Sequence, residues 1–437
     1  SGGMTRYLIP GLGVVDVKTD LRVVPGAGGK ARALGKAEAW VRRLDNSFFR
    51  GLTGTLPRLT TDLVRSEDGV LHFSNLQVYS RDLRLSGSGI RRRDGTFHIE
   101  ASGRQAKYGP LKMVLDGRIE RPKLDLFLDR PNEALGIRAM RLELDPTPAG
   151  FDYRAAGGSK LGPFTSTGRI LLPKGERTII SIAALNVAGS VGRGDLRSDP
   201  GGFTGTLALA GPISGRLAFS PVNGAQRIEA HLAASNARIA TGTTIAIRSG
   251  KLDGTILLEE GRTSLDGVLV GRGIAYGAID LARLTASGRL VNGTGQVRAA
   301  LAGRRGQAFE LVTLANVSPD RISLTGRGAV EGRALVLESP AVLTRAEGGW
   351  AIATTRVRFG GGRASVSGRT GARPELHANV SAMPLEVLDI FWPKLDLSGS
   401  ANGRLDYVWS AMPSGRADLR IRGLSRAGLV LSSKPID

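Results

Sequence analysis

One short signature recurs along nearly the whole chain: a small polar or acidic residue, then Gly, then often Arg or Thr, then an apolar alternation. Copies include Thr53-Gly54-Thr55-Leu56, Ser102-Gly103-Arg104, Asp116-Gly117-Arg118-Ile119, Thr167-Gly168-Arg169-Ile170 and Ser214-Gly215-Arg216-Leu217. It continues through Asp253-Gly254-Thr255-Ile256, Ser287-Gly288-Arg289-Leu290, Thr325-Gly326-Arg327, Ser367-Gly368-Arg369 and Asn402-Gly403-Arg404-Leu405. The spacing is irregular, so this is not a strict solenoid period but a degenerate repeat of one strand after another. Between the glycines, side chains alternate with period two. Leu124, Leu126 and Leu128 share one face against Asp125 and Asp129, and Leu419 and Ile421 oppose Asp418, Arg420 and Arg422. Strands with one dry and one wet face belong to antiparallel sheets, so the fold class is all-β and a βαβ arrangement is excluded.

Two stretches read as helical. Over about 33–50, Leu34, Ala37, Val41, Leu44 and Phe48 fall at helical spacing, with Lys36, Arg42 and Arg43 on the other side. Over about 384–392, Pro384 suits a first helical position, Leu385, Leu388 and Phe391 form a stripe, and Pro393 stops it. The chain therefore divides into an N-terminal segment, 1–50, and a continuous strand region, 51–437. Ser1-Gly2-Gly3 before Met4 reads as a tag remnant. The abrupt end at Lys434-Pro435-Ile436-Asp437 reads as a cut, so the chain is expected to be a piece of something longer. No run reaches the ~20 apolar residues of a membrane span, and no signal peptide is visible.

Composition narrows the chemistry. Glycine makes up 61 of 437 residues, about twice the usual ~7%, while 41% of residues are hydrophobic, so the chain folds and is rich in turns. Without cysteine there is no disulfide framework, thiol nucleophile or zinc ribbon. The net charge of +21 comes mainly from 49 arginines spread evenly along the chain. That distribution, with 5% aromatics, reads as a solvated basic face suited to anionic surfaces rather than as a nucleic-acid patch. His72, His98, His231 and His377 stand singly in strands and propose no metal site. Gly26-Ala27-Gly28-Gly29-Lys30 fails the phosphate-loop pattern at Val24 and Ala31. Arg193-Gly194-Asp195 reads as a turn, and the adjacent Glu259-Glu260 point to opposite faces, unlike a glycosidase pair. The sequence supports no enzyme and no cofactor.

The dry face of so many strands needs closing, by a sandwich, a solenoid or a trough. Alternation sends Leu207, Leu209, Leu217, Phe219, Ile228, Leu232, Ile245, Ile247, Ile256, Leu258, Leu265 and Leu269 into one shared interior. It sends Arg216, Arg227, Glu229, His231, Arg248 and Glu259 outward. These inward side chains, Phe219 aside, are aliphatic and modest in size, which suits a groove for something apolar but suits a packed core equally.

The C-terminal third carries a resemblance. The stretches are Ser339-Pro340-Ala341-Val342-Leu343, Gly348-Gly349-Trp350-Ala351-Ile352, and Arg358-Phe359-Gly360-Gly361-Gly362-Arg363 continuing to Gly368. Met383-Pro384-Leu385-Glu386-Val387-Leu388, Leu397-Ser398-Gly399-Ser400-Ala401-Asn402-Gly403 and Gly423-Leu424-Ser425 extend it. Together they resemble the TamB family of translocation and assembly module proteins, within the AsmA-like group, best over 311–437. The resemblance implies an elongated antiparallel sheet curled into a half-pipe, the β-taco, with an apolar inner groove. It implies the periplasmic part of an inner-membrane-anchored protein of a diderm bacterium, reaching toward an outer-membrane partner of the Omp85 class (TamA-like). The implied function is conduction of phospholipids, by their acyl chains, between the two membranes in support of outer-membrane biogenesis. An alternative is a structural or chaperone module that assists autotransporter assembly by β-augmentation. The family's N-terminal membrane helix and C-terminal partner-binding domain are not in this sequence.

Overall fold

A computed structural model describes residues 2–9, 13–25, 31–45, 50, 52–119, 121–132, 136–173, 176–241, 243–259, 261–277, 279–371, 373–390, 395–409 and 414–426. Ser1, the 26–30 run, Phe48, Glu260, Phe391, Pro393 and the 427–437 stretch lie outside the described residues. The architecture is all-β and antiparallel throughout its described strands. The chain divides into two compact units, Ser1–Asp199 and Pro200–Asp437.

The first unit opens with β1 (Gly2–Ile9), β2 (Gly13–Pro25), β3 (Ala31–Leu44), β4 (Arg58–Arg65) and β5 (Leu71–Tyr79). It continues with β6 (Leu83–Arg91), β7 (Phe97–Gln105), β8 (Gly109–Gly117), β9 (Lys123–Leu128) and β10 (Arg138–Thr147). It closes with β11 (Gly150–Ser159), β12 (Gly162–Leu171), β13 (Ile179–Val187) and β14 (Ser190–Asp199). Each strand pairs antiparallel with the next. Directly opposed residues share a face, so Leu63, Phe73, Gly89, Ile99, Leu115, Leu124, Leu144 and Tyr153 form one file across eight strands. The cores lie on that face, and Leu52, in the β3–β4 connection, folds onto it against Leu83, Leu85 and Leu111. The other face is charged: Arg154 donates to Glu143 at 2.9 Å and to Asp145 at 2.7 Å.

The helix expected over about 33–50 is not there; residues 31–44 are strand β3. The reason is the size of the dry-face residues. Ala33, Gly35, Ala37, Ala39 and Val41 face Val23, Leu21, Thr19, Val17 and Val15 of β2 in a period of two. Small side chains carry little hydropathy, so the larger Leu34, on the wet side and 39% exposed, counterfeits a helical stripe.

The second unit starts with β15 (Gly202–Ala210), β16 (Ile213–Val222), β17 (Ala225–Thr241), β18 (Thr243–Glu259), β19 (Arg262–Tyr276) and β20 (Ile279–Val291). Next come β21 (Thr294–Arg305), β22 (Gln307–Ser318), β23 (Arg321–Val330), β24 (Arg333–Leu337) and β25 (Ala341–Ala346). It ends with β26 (Gly349–Phe359), β27 (Gly362–Arg369), β28 (Glu375–Pro384), β29 (Leu397–Val408) and β30 (Ser414–Arg426). Pairing again runs neighbour to neighbour, with one variation. β24 and β25 both pair with β23 on one side and with β26 on the other, so they act as one strand interrupted at Glu338-Ser339-Pro340. Pro340, which has no N–H, sits in that interruption, where no ladder bond is lost. The helix expected over about 384–392 is present as a short 3-10 segment, Leu385–Ile390. There Leu385 is buried, Val387 packs against the Val330–Phe359–Met383 core, and Arg333 bonds Glu386 at 2.9 Å. Among the described residues no helix is long and apolar enough to cross a membrane.

Candidate apolar groove

Register brings ten of the twelve residues singled out from the sequence onto one face of β15–β19. Leu207 lies opposite Leu217, and Phe219 opposite Ile228. Ile228 is opposite Ile256, Ile256 opposite Leu265, and Leu265 opposite Leu290. A second file runs from Leu209 to Gly215, Leu232, Leu252, Leu269 and Ala286. Leu258 opposes Gln226 and Thr263 at the margin of the same face. On the opposite face Arg216 opposes His231, which opposes Asp253, and Glu229 opposes Thr255. Arg227 and Glu259 alternate onto that side as well.

Ile245 and Ile247 reach the shared face by a route that strict alternation does not give, because Ile247 and Ile256 are an odd number of residues apart. A crease crosses the sheet where Asn236 and Arg248, then Arg248 and Gly273, are skipped in the ladders. Asn236 and Gly273 take left-handed conformations, with φ of 50° and 60°. One irregular residue per strand reverses the phase: Ala237 and Ile274 are buried, and Ile247 and Ile274 reach over the dry-side positions of Gly250 and Gly271. Arg248 sits in the crease and is exposed.

The shared face is covered unevenly. Leu207 and Ile228 are buried, whereas Leu252, Leu265 and Leu269 are 39%, 42% and 36% exposed. Expected as a common interior, the face is therefore open over β18 and β19. A concavity of about 200 Å³ lies there, walled by Leu252, Ile256, Leu265, Leu269 and Leu290. Its floor is a row of directly opposed glycines, Gly254, Gly267 and Gly288.

The sequence reading missed what the signature glycines do. Apart from Gly54, in the β3–β4 connection, they lie inside strands rather than between them, and the alternation turns them toward the dry face. The arginines that follow, among them Arg104, Arg169, Arg216, Arg289, Arg327 and Arg369, are exposed on the wet face. The signal was available in the motif itself, since a polar-Gly-Arg triplet in an alternating strand must put its glycine on the side opposite its charges.

Three of the four histidines face a carboxylate directly across a ladder: His98 and Asp116, His231 and Asp253, His377 and Asp406. Nδ1-to-carboxylate distances are 3.1, 2.8 and 2.7 Å. His377, with Arg404 beside it, holds Asp406 below the usual carboxylate range, and Arg92 with His98 does the same for Asp116. Among the described residues no group of three or more His, Asp or Glu side chains is placed to hold a metal ion. No model of a known family, no curated protein and no solved structure matches the chain.

Proposed function

We propose that the dry face is a groove for phospholipid acyl chains. On this reading the chain is the periplasmic part of an inner-membrane-anchored protein that conducts phospholipids toward the outer membrane and so supports outer-membrane biogenesis. The observation that supports it is the half-open leucine wall over a glycine floor: an apolar surface that stays wet unless something apolar lies on it. The physical demand is large. Pulling two acyl chains, some thirty CH₂ groups, through water costs on the order of 20 kcal/mol at ~0.8 kcal/mol each. A continuous apolar face removes most of that cost while the headgroup stays in water.

The test is capture of photoactivatable phospholipid by the intact chain, compared with Leu265→Asp and Ile247→Asp. Leu265 is 42% exposed, so its carboxylate reaches water and the melting temperature holds. Lipid capture should nevertheless fall severalfold, because a charge interrupts the apolar path. Absence of captured lipid in the parent chain would refute the proposal. Unfolding of both variants, with no lipid in the parent, would favour a packed core.

A second reading, assembly of outer-membrane proteins by strand addition, draws on β30. Among the described residues β30 pairs only with β29, which leaves a ladder edge open. Disulfide trapping of an Arg420→Cys variant to a client strand, without lipid capture, would favour it.

A further inference from the structure

The face opposite the groove, charged along most of its length, changes character over β20–β24. Val312, an apolar residue, stands there on the side that alternation makes wet and is 58% exposed. It lies opposite Ala300 on β21 and Arg327 on β23, and Arg327 in turn lies opposite Val336 on β24. One step along, Leu314 lies opposite Arg298 and Thr325. These residues line a shallow depression of about 650 Å³, a volume within the ~300–1,000 Å³ of small-molecule sites.

Its charge is one-sided. Among the described residues no Asp or Glu lines this depression, and the one carboxylate beside it, Glu310, lines the adjoining depression that shares Val312 and Arg327. The nearest carboxylate on this face of β22, Glu310, is engaged by Arg283 at 3.5 Å. Among the described residues Arg327 has no ion-pair partner, and the bond that Arg298 makes is to the neutral amide of Gln296, at 3.4 Å. One guanidinium without an ion-pair partner, Arg327, therefore stands between Val312 and Val336, and a second, Arg298, borders the same partly exposed aliphatic floor. A guanidinium recognises a carboxylate or phosphate through charge-assisted hydrogen bonds, and the floor of Ala300, Val312 and Val336 gains by being covered with alkyl carbon.

We propose that this depression is a second binding site, distinct from the groove and on the other side of the sheet. Its ligand is a free single-chain anionic amphiphile, with its alkyl chain over Val312 and its head on Arg298 and Arg327. The site does not depend on the groove carrying phospholipid.

The experiment is calorimetric titration of the full chain with monomeric dodecyl phosphate, alongside dodecyl maltoside, inorganic phosphate and anionic phospholipid vesicles. Dodecyl phosphate should bind, and the neutral maltoside and bare phosphate should bind at least about tenfold more weakly, the loss of one charge-assisted bond or of the alkyl contact. Arg327→Gln and Val312→Asp should each weaken dodecyl phosphate by about tenfold. Both side chains are exposed, so the melting temperatures should not move. Leu265→Asp, in the groove, should leave this binding intact. Loss that follows Leu265→Asp instead of Val312→Asp would overturn the proposal, because the ligand would then sit in the groove. Equal affinity for the maltoside, binding to vesicles alone, or no binding at all would overturn it as well.

Discussion

A β-carbon placed on Gly328 would collide with the carbonyl oxygen of Glu310 on the neighbouring strand, and one on Gly103 with that of Arg84. At such positions the strand is turned so sharply that the partner's backbone occupies the space of a side chain, so glycine is required by close approach. Gly267 is roomier: its nearest obstacle is the Asp253 carbonyl oxygen, at 3.1 Å. Gly328→Ala should therefore cost on the order of 2–4 kcal/mol in urea denaturation, and Gly267→Ala about 1 kcal/mol or less. Equal costs would show that close backbone approach is not what requires glycine. Asp406 offers a second prediction. Its folded pKa is depressed by His377 and Arg404, so its contribution to stability is present at neutral pH and disappears as pH falls below about 4. Asp406→Asn should flatten that acid limb in melting curves recorded against pH, by a small amount because the group is only half-buried. At this scale the sequence was readable wherever side chains were large, as at Leu207, Ile228 and Ile256. It was opaque where the inward residue was glycine or alanine, because the decisive property was absence of bulk.

Strands differed in legibility for the same reason. β9, with Leu124, Leu126 and Leu128 alternating against Lys123, Asp125 and Phe127, reads directly as a half-buried strand. β3 does not, because its dry side is mostly Ala and Gly. The crease through β17–β19 was hidden altogether: it rests on two left-handed residues, and neither Asn236 nor Gly273 differs in type from many others in the chain. The interruption between β24 and β25 has a visible marker in Pro340, and its geometry is held by Ser339, whose Oγ accepts the Arg356 N–H at 2.8 Å. Ser339→Ala should cost about 1 kcal/mol in chemical denaturation, the worth of one hydrogen bond. A cost near zero would mean that water replaces the hydroxyl without penalty.

For the molecule as a whole, the sequence conveyed the class of fold through its alternation, while the division into units left no compositional mark. Asp199-Pro200-Gly201-Gly202, where one unit gives way to the other, is spelled like many other turns in the chain. Neighbour-to-neighbour pairing within each unit has a kinetic consequence. Among the described residues no strand must wait for a partner synthesised a hundred residues later, so each described loop closure is short and its entropy small. Contact order is then low for a β protein, and folding is expected at the faster end of that class. Stability becomes a sum of nearest-neighbour terms, as in a one-dimensional array. Urea should accordingly produce a broad transition, with amide exchange graded along the strands rather than released at one concentration. A single sharp transition, with all strand amides exchanging together, would contradict this. A chain that zips locally can also be laid down in order from its first strand onward, each new strand finding its template already in place.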